Sequence, residues 1–180
     1  MTFDQIKYIN NYSKEYYKTL LLKYRKDSFI YDWINSKNNK NGYILKLIED
    51  DIKNSINDIS KLVKNINRHY NDKELLFGDW LDEFYNSPKT IKQLMLEKEP
   101  NNCNNDSVFT SYIAATVDYL SNKYKLSKPD WVSSDKYVYN GVYYAGNTKI
   151  KEYQKLLKDT SPIEFSKRNL YVGDNILKRV

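Results

Sequence analysis

Tyr17-Lys18-Thr19-Leu20-Leu21-Leu22-Lys23-Tyr24 is the stretch on which the fold turns. It is too short for a stable helix and is bounded by the charged Arg25-Lys26-Asp27. In an extended chain alternate side chains point to opposite faces. Leu20, Leu22 and Tyr24 then share one face and Thr19, Leu21 and Lys23 the other. The stretch reads as a strand, and it reads as alone. No second strand follows nearby, so its backbone N–H and C=O groups need a partner from elsewhere.

What surrounds it reads as helical. Residues 1–16 mix Tyr, Asn and Lys with little apolar periodicity and read as a flexible basic arm. Asp27-Ser28 offers N-cap oxygens to a helix carrying Phe29, Ile30, Trp33 and Ile34. Ser36 to Lys40 is a polar turn, and Asn41-Gly42 opens a second helix. Along it Ile52, Ile56, Ile59, Val63 and Ile66 alternate spacings of four and three, a heptad seam. No Pro or Gly interrupts residues 43–70, so the spacing predicts one helix about 40 Å long at about 1.5 Å per residue. One strand and two helices within about 40 residues bury too little to stand alone. Two copies remove both difficulties: their strands pair antiparallel and their four helices pack beneath.

Composition bounds the rest. The 180 residues suit one ordinary domain or two small ones. Hydrophobic residues make up 41%, with 18 Tyr, 6 Phe and 3 Trp, enough to build a core. Only 5 Gly and 4 Pro argue against an all-β chain. One Cys excludes an intramolecular disulfide, and one His excludes a His-rich metal site. No apolar run approaches the roughly 20 residues of a membrane span, and no secretory apolar stretch opens the chain. The expectation is a soluble, cytoplasmic protein without a membrane partner, and the Lys, Asn, Ile and Tyr usage fits AT-rich coding in a low-GC bacterium or phage. The net charge of +6 is uneven. Residues 1–42 carry 8 basic and 4 acidic side chains, residues 43–100 carry 9 and 11, and residues 101–180 carry 12 and 8. A basic N-terminus suits an anionic partner such as nucleic acid.

Residues 17–56, above all YKTLLLKYRKDSFIYDWI followed by NGYILKLIEDDI, resemble the ribbon-helix-helix (Arc/MetJ-like) family of bacterial and phage DNA-binding regulators. The resemblance implies a homodimer whose two-stranded ribbon enters the major groove of double-stranded DNA. It places Thr19, Leu21 and Lys23 against base edges. Lys23 can donate to guanine O6 and N7, and Thr19 to either kind of edge. Leu21 stands where the family has a polar residue, and it can only touch a thymine methyl. The second helix's start, at Asn41, Gly42 and Tyr43, would present backbone N–H groups and a positive dipole end to a phosphate, with Lys40 adding charge.

Residues 71–180 read as a second, helical domain after a hinge at Asn71-Asp72-Lys73. Helices are expected at 75–85 (Leu76, Trp80, Leu81 and Phe84 inward), from Ser87-Pro88 through Met95, at 107–124 and at 147–158, with a loop at 101–105 and irregular structure over 127–147, where a short hairpin is the alternative. Phe77-x-x-Trp80-Leu81-x-Glu83-Phe84-Tyr85, Glu97-x-Glu99-Pro100, Leu126-x-x-Pro129-x-Trp131 and the ending Ser161-Pro162-x-Glu164-Phe165-x-x-Arg168-Asn169-Leu170-Tyr171-Val172 resemble a poorly characterised bacterial helical domain. Its members are associated with neighbours resembling nucleotidyltransferase toxins, which implies an antitoxin-like or regulatory role and a toxin-like protein partner.

The whole reads as mainly α: a flexible arm (1–16), a ribbon-helix-helix unit with an extended second helix (17–70) and a helical partner-binding or regulatory domain (71–180). The expected function is a dimeric transcriptional repressor that controls its own operon. The alternative is a protein-interaction or inhibitory factor of a mobile element whose N-terminal unit only dimerises. No enzyme, cofactor or metal is expected, because no nucleophile–His combination or Gly-rich phosphate loop stands in the chain. His69 lies among polar neighbours and reads as a helix-end residue; Cys103 lacks a redox partner at CxxC spacing. The acidic runs Glu49-Asp50-Asp51 and Asp79-x-x-Asp82-Glu83 read as solvated helix faces. Arg168 reads as an anchor for the last segment through a bidentate carboxylate bond rather than as a partner contact, and Trp131, Tyr137, Tyr139, Tyr143 and Tyr144 as packing rather than base-stacking.

Overall fold

The computed structural model describes residues 23, 25–101, 103 and 106–178. The arm at 1–16 and all of the strand stretch except Lys23 lie outside the described residues, so the expected ribbon has no structural counterpart to be compared with. What is described is mainly helical, and no described helix is long and apolar enough to cross a membrane. The chain divides into two compact units, residues 1–50 and 51–180.

In the first unit, Ser28 caps helix α1 (Phe29–Asn35), its hydroxyl accepting from the Tyr31 amide at 3.3 Å. Helix α2 (Lys40–Ser55) follows after a four-residue turn. The expected uninterrupted helix over 43–70 is not formed. Helix α2 stops at Ser55 and helix α3 (Ile59–Arg68) starts afresh. The cause lies in Asn57-Asp58. Asp58 is extended (φ −71°, ψ 164°), and its carboxylate accepts from the Lys61 amide at 2.9 Å and the Ser60 hydroxyl at 2.6 Å. An Asp whose oxygen satisfies the next turn's amide competes with helix continuation. Lys61 completes the break by donating to the Asn54 and Ile56 carbonyls, which the ended helix leaves open. The heptad seam is thereby divided: Ile59, Val63 and Ile66 are fully buried, whereas Ile52 is exposed.

The second unit is built around helix α6 (Ser107–Tyr124), which matches the expected span. Asp106 caps it, its carboxylate accepting from the Phe109 amide at 2.8 Å. Lys125 ends it in the left-handed region at φ 51°. Small residues let neighbours close in on several sides: Thr110, Ser111, Ala114, Ala115, Thr116 and Ser121 are all buried. Helix α4 (Lys73–Asn86) brings Phe77, Trp80, Leu81 and Phe84 to the core, and helix α5 (Lys89–Glu97) brings Met95 and Leu96. Helix α3 is packed into the same core through Ile59, Leu62, Val63 and Ile66. The Trp80 indole donates to the Asn57 carbonyl at 2.8 Å and so holds the start of α3.

The Tyr-rich stretch forms no hairpin. Short 3-10 turns at Asp130–Ser133 and Asp135–Tyr137 lead to strand β1 (Tyr143–Tyr144), which pairs in parallel with strand β2 (Leu170–Tyr171) near the end of the chain. Helices α7 (Lys151–Thr160) and α8 (Ile163–Ser166) make the connection between them. Tyr137 is fully buried with its hydroxyl 3.0 Å from Glu99, and the Trp131 indole donates to the Glu97 carbonyl. These rings pack, as the sequence suggests.

A buried ion cluster locks the closing segment onto α6. Asp118, in the middle of α6 and without exposed surface, meets Arg168 Nη1 at 3.0 Å, Lys128 Nζ at 2.7 Å and Lys167 Nζ. Arg168 reaches the carboxylate with one nitrogen; its other bonds go to the carbonyls of Glu164 (2.6 Å) and Val132 (2.8 Å). Burial alone would push the Asp118 carboxyl up. The hydrogen bonds from Lys128, Lys167 and Arg168 outweigh that and hold it below the usual carboxylate range. A depressed folded-state value makes this contribution to stability fully present above the ordinary aspartate value of about 3.9, and lost as the pH falls through the lower folded-state value. Asp118→Asn leaves the Arg168 guanidinium buried without its counter-charge, and the expected cost at neutral pH is about 3–5 kcal/mol by denaturant melting. The variant should also show a shallower loss of stability between about pH 5 and pH 2 than the parent chain.

Candidate functional site

Among its described residues the first unit has two helices and no buried side chain. None of the residues of α1 or α2 is buried. Phe29 is 81% exposed, Trp33 58% and Leu45 60%, and Ile30, Leu47, Ile48 and Ile52 are exposed with them. A scattering of single apolar residues is ordinary on a protein surface, but seven large ones exposed on these two helices is a high density. What joins the helices is polar and aromatic: the Trp33 indole donates to the Tyr43 hydroxyl at 2.9 Å, and Lys37 Nζ sits 3.7 Å from the Trp33 ring centroid. Neither Lys37 nor this Trp–Tyr bond is foreseeable from the periodicity, because a three-residue local arrangement leaves no repeat.

Of the residues read as contacting bases, Thr19 and Leu21 lie outside the described residues, and Lys23 is exposed. Of the four residues read as contacting phosphate, Asn41, Gly42 and Tyr43 open α2 as expected, and Lys40, read as the end of the polar turn, is already its first residue. Asn39 acts there as the cap: its side-chain oxygen accepts from the Gly42 amide at 2.9 Å and its carbonyl from the Tyr43 amide at 3.0 Å. Two of the named amides are therefore engaged within the chain. The Lys40 and Asn41 amides precede the first intrahelical bond and are the donors the turn leaves open. Lys40 Nζ is 2.6 Å from the Asn35 side-chain oxygen, which positions the ammonium beside that helix start while leaving it exposed. Gly42 has a steric reason as well. A Cβ there would stand 2.5 Å from the Asn39 amide nitrogen, so a side chain at 42 displaces the cap. Asn39 is the residue the sequence reading passed over, although Asn three residues before Gly is a capping signal.

In the second unit, Tyr70 donates to the Asp106 carboxylate, and Lys73 Nζ lies 2.9 Å from the Tyr70 hydroxyl and 3.1 Å from Asp106. The Tyr70 hydrogen bond is the main influence holding the Lys73 ammonium above its ordinary range. Burial pushes the Asp106 carboxyl up, but its bonds from Tyr70, the Phe109 amide and Lys73 prevail and hold it down. Because Asp106 also caps α6, structure alone accounts for this cluster. Cys103 is buried and its thiol is pushed up to about 11 by burial, which leaves it protonated and unreactive at neutral pH. His69 ends α3 as its C-cap and is exposed. Among the described residues, no group of three or more His, Cys, Asp and Glu is placed to hold a metal ion.

No protein-family model matches the chain, and it matches no curated protein and no solved structure. The site therefore has to be interpreted from its own chemistry. One local consequence is measurable. Asn39→Ala removes the α2 cap at a cost of about 1 kcal/mol, so amide exchange in the first turns of α2 should accelerate roughly fivefold, whereas Asn39→Ser should stay close to the parent rate.

Proposed function

We propose that the chain is a dimeric, sequence-specific DNA-binding regulator of the ribbon-helix-helix type. It acts as a repressor of its own operon in the manner of an antitoxin, within the cytoplasm of a bacterium. The observation that carries this reading is made on the described part of the first unit: two capped helices, no buried residue and several exposed large apolar side chains, following a short leucine stretch in the sequence. Burying a Leu, Ile or Phe side chain is worth about 1.5–3 kcal/mol, so side chains exposed in this number favour a partner strongly. A second copy presents the same side chains and also supplies the strand that the leucine stretch needs.

In this reading residues 17–24 of two chains pair as an antiparallel ribbon, and Thr19, Leu21 and Lys23 face base edges in the major groove. The Lys40 and Asn41 amides and the Lys40 ammonium meet a phosphate and fix the register without reading sequence. Repression follows from occupancy: the bound dimer covers the promoter and performs no chemistry. The second unit, residues 51–180, supplies the regulatory surface and binds a protein partner.

A second reading has one observation in its favour. With the Gly42 and Tyr43 amides used by Asn39, the helix start offers fewer donors than the family arrangement implies, which suits a unit that only dimerises.

The two readings separate in a gel-shift titration on the DNA upstream of the chain's own reading frame. The regulator binds it with an affinity that falls steeply with salt, and Thr19→Ala with Lys23→Ala weakens specific binding at least about tenfold while retaining weak non-specific binding. Equal binding by both proteins rejects the reading face, and no retention even at low salt favours the dimerisation-only reading. Light scattering on the full chain tests the shared premise: the parent protein should be a dimer, and Leu45→Glu with Ile48→Glu should shift it to monomer.

A further inference from the structure

One concavity in the second unit is walled mainly by aromatic rings. It measures about 680 Å³, within the range of roughly 300–1,000 Å³ typical of small-molecule sites. Phe77, Phe109, Tyr112, Tyr139 and Tyr143 line it, and Lys73, Asp106, Glu74 and Asn147 are the polar groups among its walls. By contrast, the cleft between Gln93 and Lys136 is walled largely by charged side chains that already answer one another, as Lys136 does Glu99 and Lys128 does Asp118.

The rings of the aromatic cleft are held in fixed planes. Phe109 and Tyr112 are parallel to within 6° at 5.9 Å, and Phe77 stands at 75° to the first and 69° to the second. Phe165 backs the Tyr112 ring at 5.3 Å from the core side. These walls do not depend on a guest to be ordered. Tyr112 is the informative one. Its ring is packed on three sides by phenylalanines, and burial pushes its phenol well above the ordinary range. The residue as a whole is only half-buried, and its hydroxyl is not a sealed atom without a partner: it reaches solvent and is open to a guest in the cleft.

The charges select the guest further. Lys73 is the sole cation among the lining residues, and its ammonium is taken up by Asp106 and Tyr70. A phosphate or carboxylate entering the cleft would meet Glu74 and Asp106 with no free cation to offset them. A cationic guest would meet Lys73, whose ammonium already lies 5.3 Å from the Phe109 ring centroid. What remains favourable is a flat, uncharged molecule that stacks on rings and offers one polar atom to a hydroxyl.

We propose that this cleft is a binding site for a small, uncharged planar aromatic ligand, of the class of a free nucleobase, a nucleoside or an indole, with the Tyr112 hydroxyl as its hydrogen-bond partner. The site lies wholly within residues 73–176 and stands or falls independently of DNA binding. It gives the second unit a small-molecule input in addition to any protein partner.

The test is calorimetric titration of the full chain with adenosine, indole and adenosine monophosphate in the absence of DNA. Adenosine or indole should bind saturably, with a dissociation constant below on the order of 1 mM, and adenosine monophosphate at least about tenfold more weakly than adenosine. Tyr112→Phe keeps the ring and removes the hydroxyl, and should weaken the bound probe about three- to tenfold. Val142→Trp, at an exposed position on the cleft's edge, should block entry while leaving the thermal midpoint unchanged. Saturation by neither neutral probe, tighter binding of the monophosphate, or binding untouched by both substitutions would overturn the assignment.

Discussion

The second unit depends on one buried carboxylate. Asp118 sits at the centre of α6, surrounded by residues small enough to admit neighbours, and a charge there must be answered or the helix cannot be interior. The answers come from the far end of the sequence: Lys128 shortly after α6, then Lys167 and Arg168 after α8. Arg168 also satisfies two buried carbonyls, Glu164 and Val132, so a single side chain ties three segments together. This fixes where the closing residues run. Asn169, in the left-handed region at φ 59°, bonds back to Tyr139 through its side chain, and its carbonyl receives the Tyr143 amide. Strand β2 then falls beside β1, and the parallel pair is a consequence of the anchor rather than a cause of the fold. Two residues per strand could not establish that pairing alone.

The same constraint shapes the aromatic cleft. Phe165, fully buried one turn before Arg168, stands behind Tyr112, while Tyr139 and Tyr143 are placed by the Asn169 bonds. The walls on one side belong to α4 and α6, ordered by their core contacts and, for α6, by the Asp106 cap. Those on the other belong to irregular chain held by packing of Tyr139 and Tyr143 against the core and by hydrogen bonds to the Arg168 segment. A cleft assembled in this way keeps its shape without a ligand and so binds without an ordering cost.

Legibility in the sequence followed the range of the interaction. Helices α4 and α6 were readable because the apolar residues that set their periodicity lie within a few positions of one another. The break between α2 and α3 was not read, because the isoleucine spacing continues across it with no Pro or Gly. Only the capping capacity of Asp58, together with Lys61 reaching back to open carbonyls, reveals it. The role of Arg168 as an anchor was legible from its place in a closing motif, but its carboxylate partner fifty residues earlier was not. The parallel pairing of Tyr143-Tyr144 with the chain end was invisible for the same reason: a hairpin is the local solution, and tertiary contacts overrode it. At the helix start, Asn41 to Tyr43 were placed correctly in the opening of α2, with Lys40 read as turn, while the consumption of two amides by Asn39 required coordinates. The aromatic cleft draws its rings from three separated stretches and has no sequence signature at all.

The two units differ in what their stability can depend on. Residues 51–180 have a contiguous interior, from Ile59 to Leu177, and the free energy of closing it is a property of one chain. The described part of the first unit has no such interior, only caps, a Trp–Tyr hydrogen bond and a lysine over a ring. Interactions of that kind are worth around 1 kcal/mol each and do not offset the conformational entropy of some two dozen ordered residues. In the proposed dimer the further free energy would come from association and would enter as a function of protein concentration. Under that proposal, occupancy of DNA would follow the amount of chain present, because dilution would remove the dimeric reading unit while the second unit, whose interior belongs to one chain, would persist.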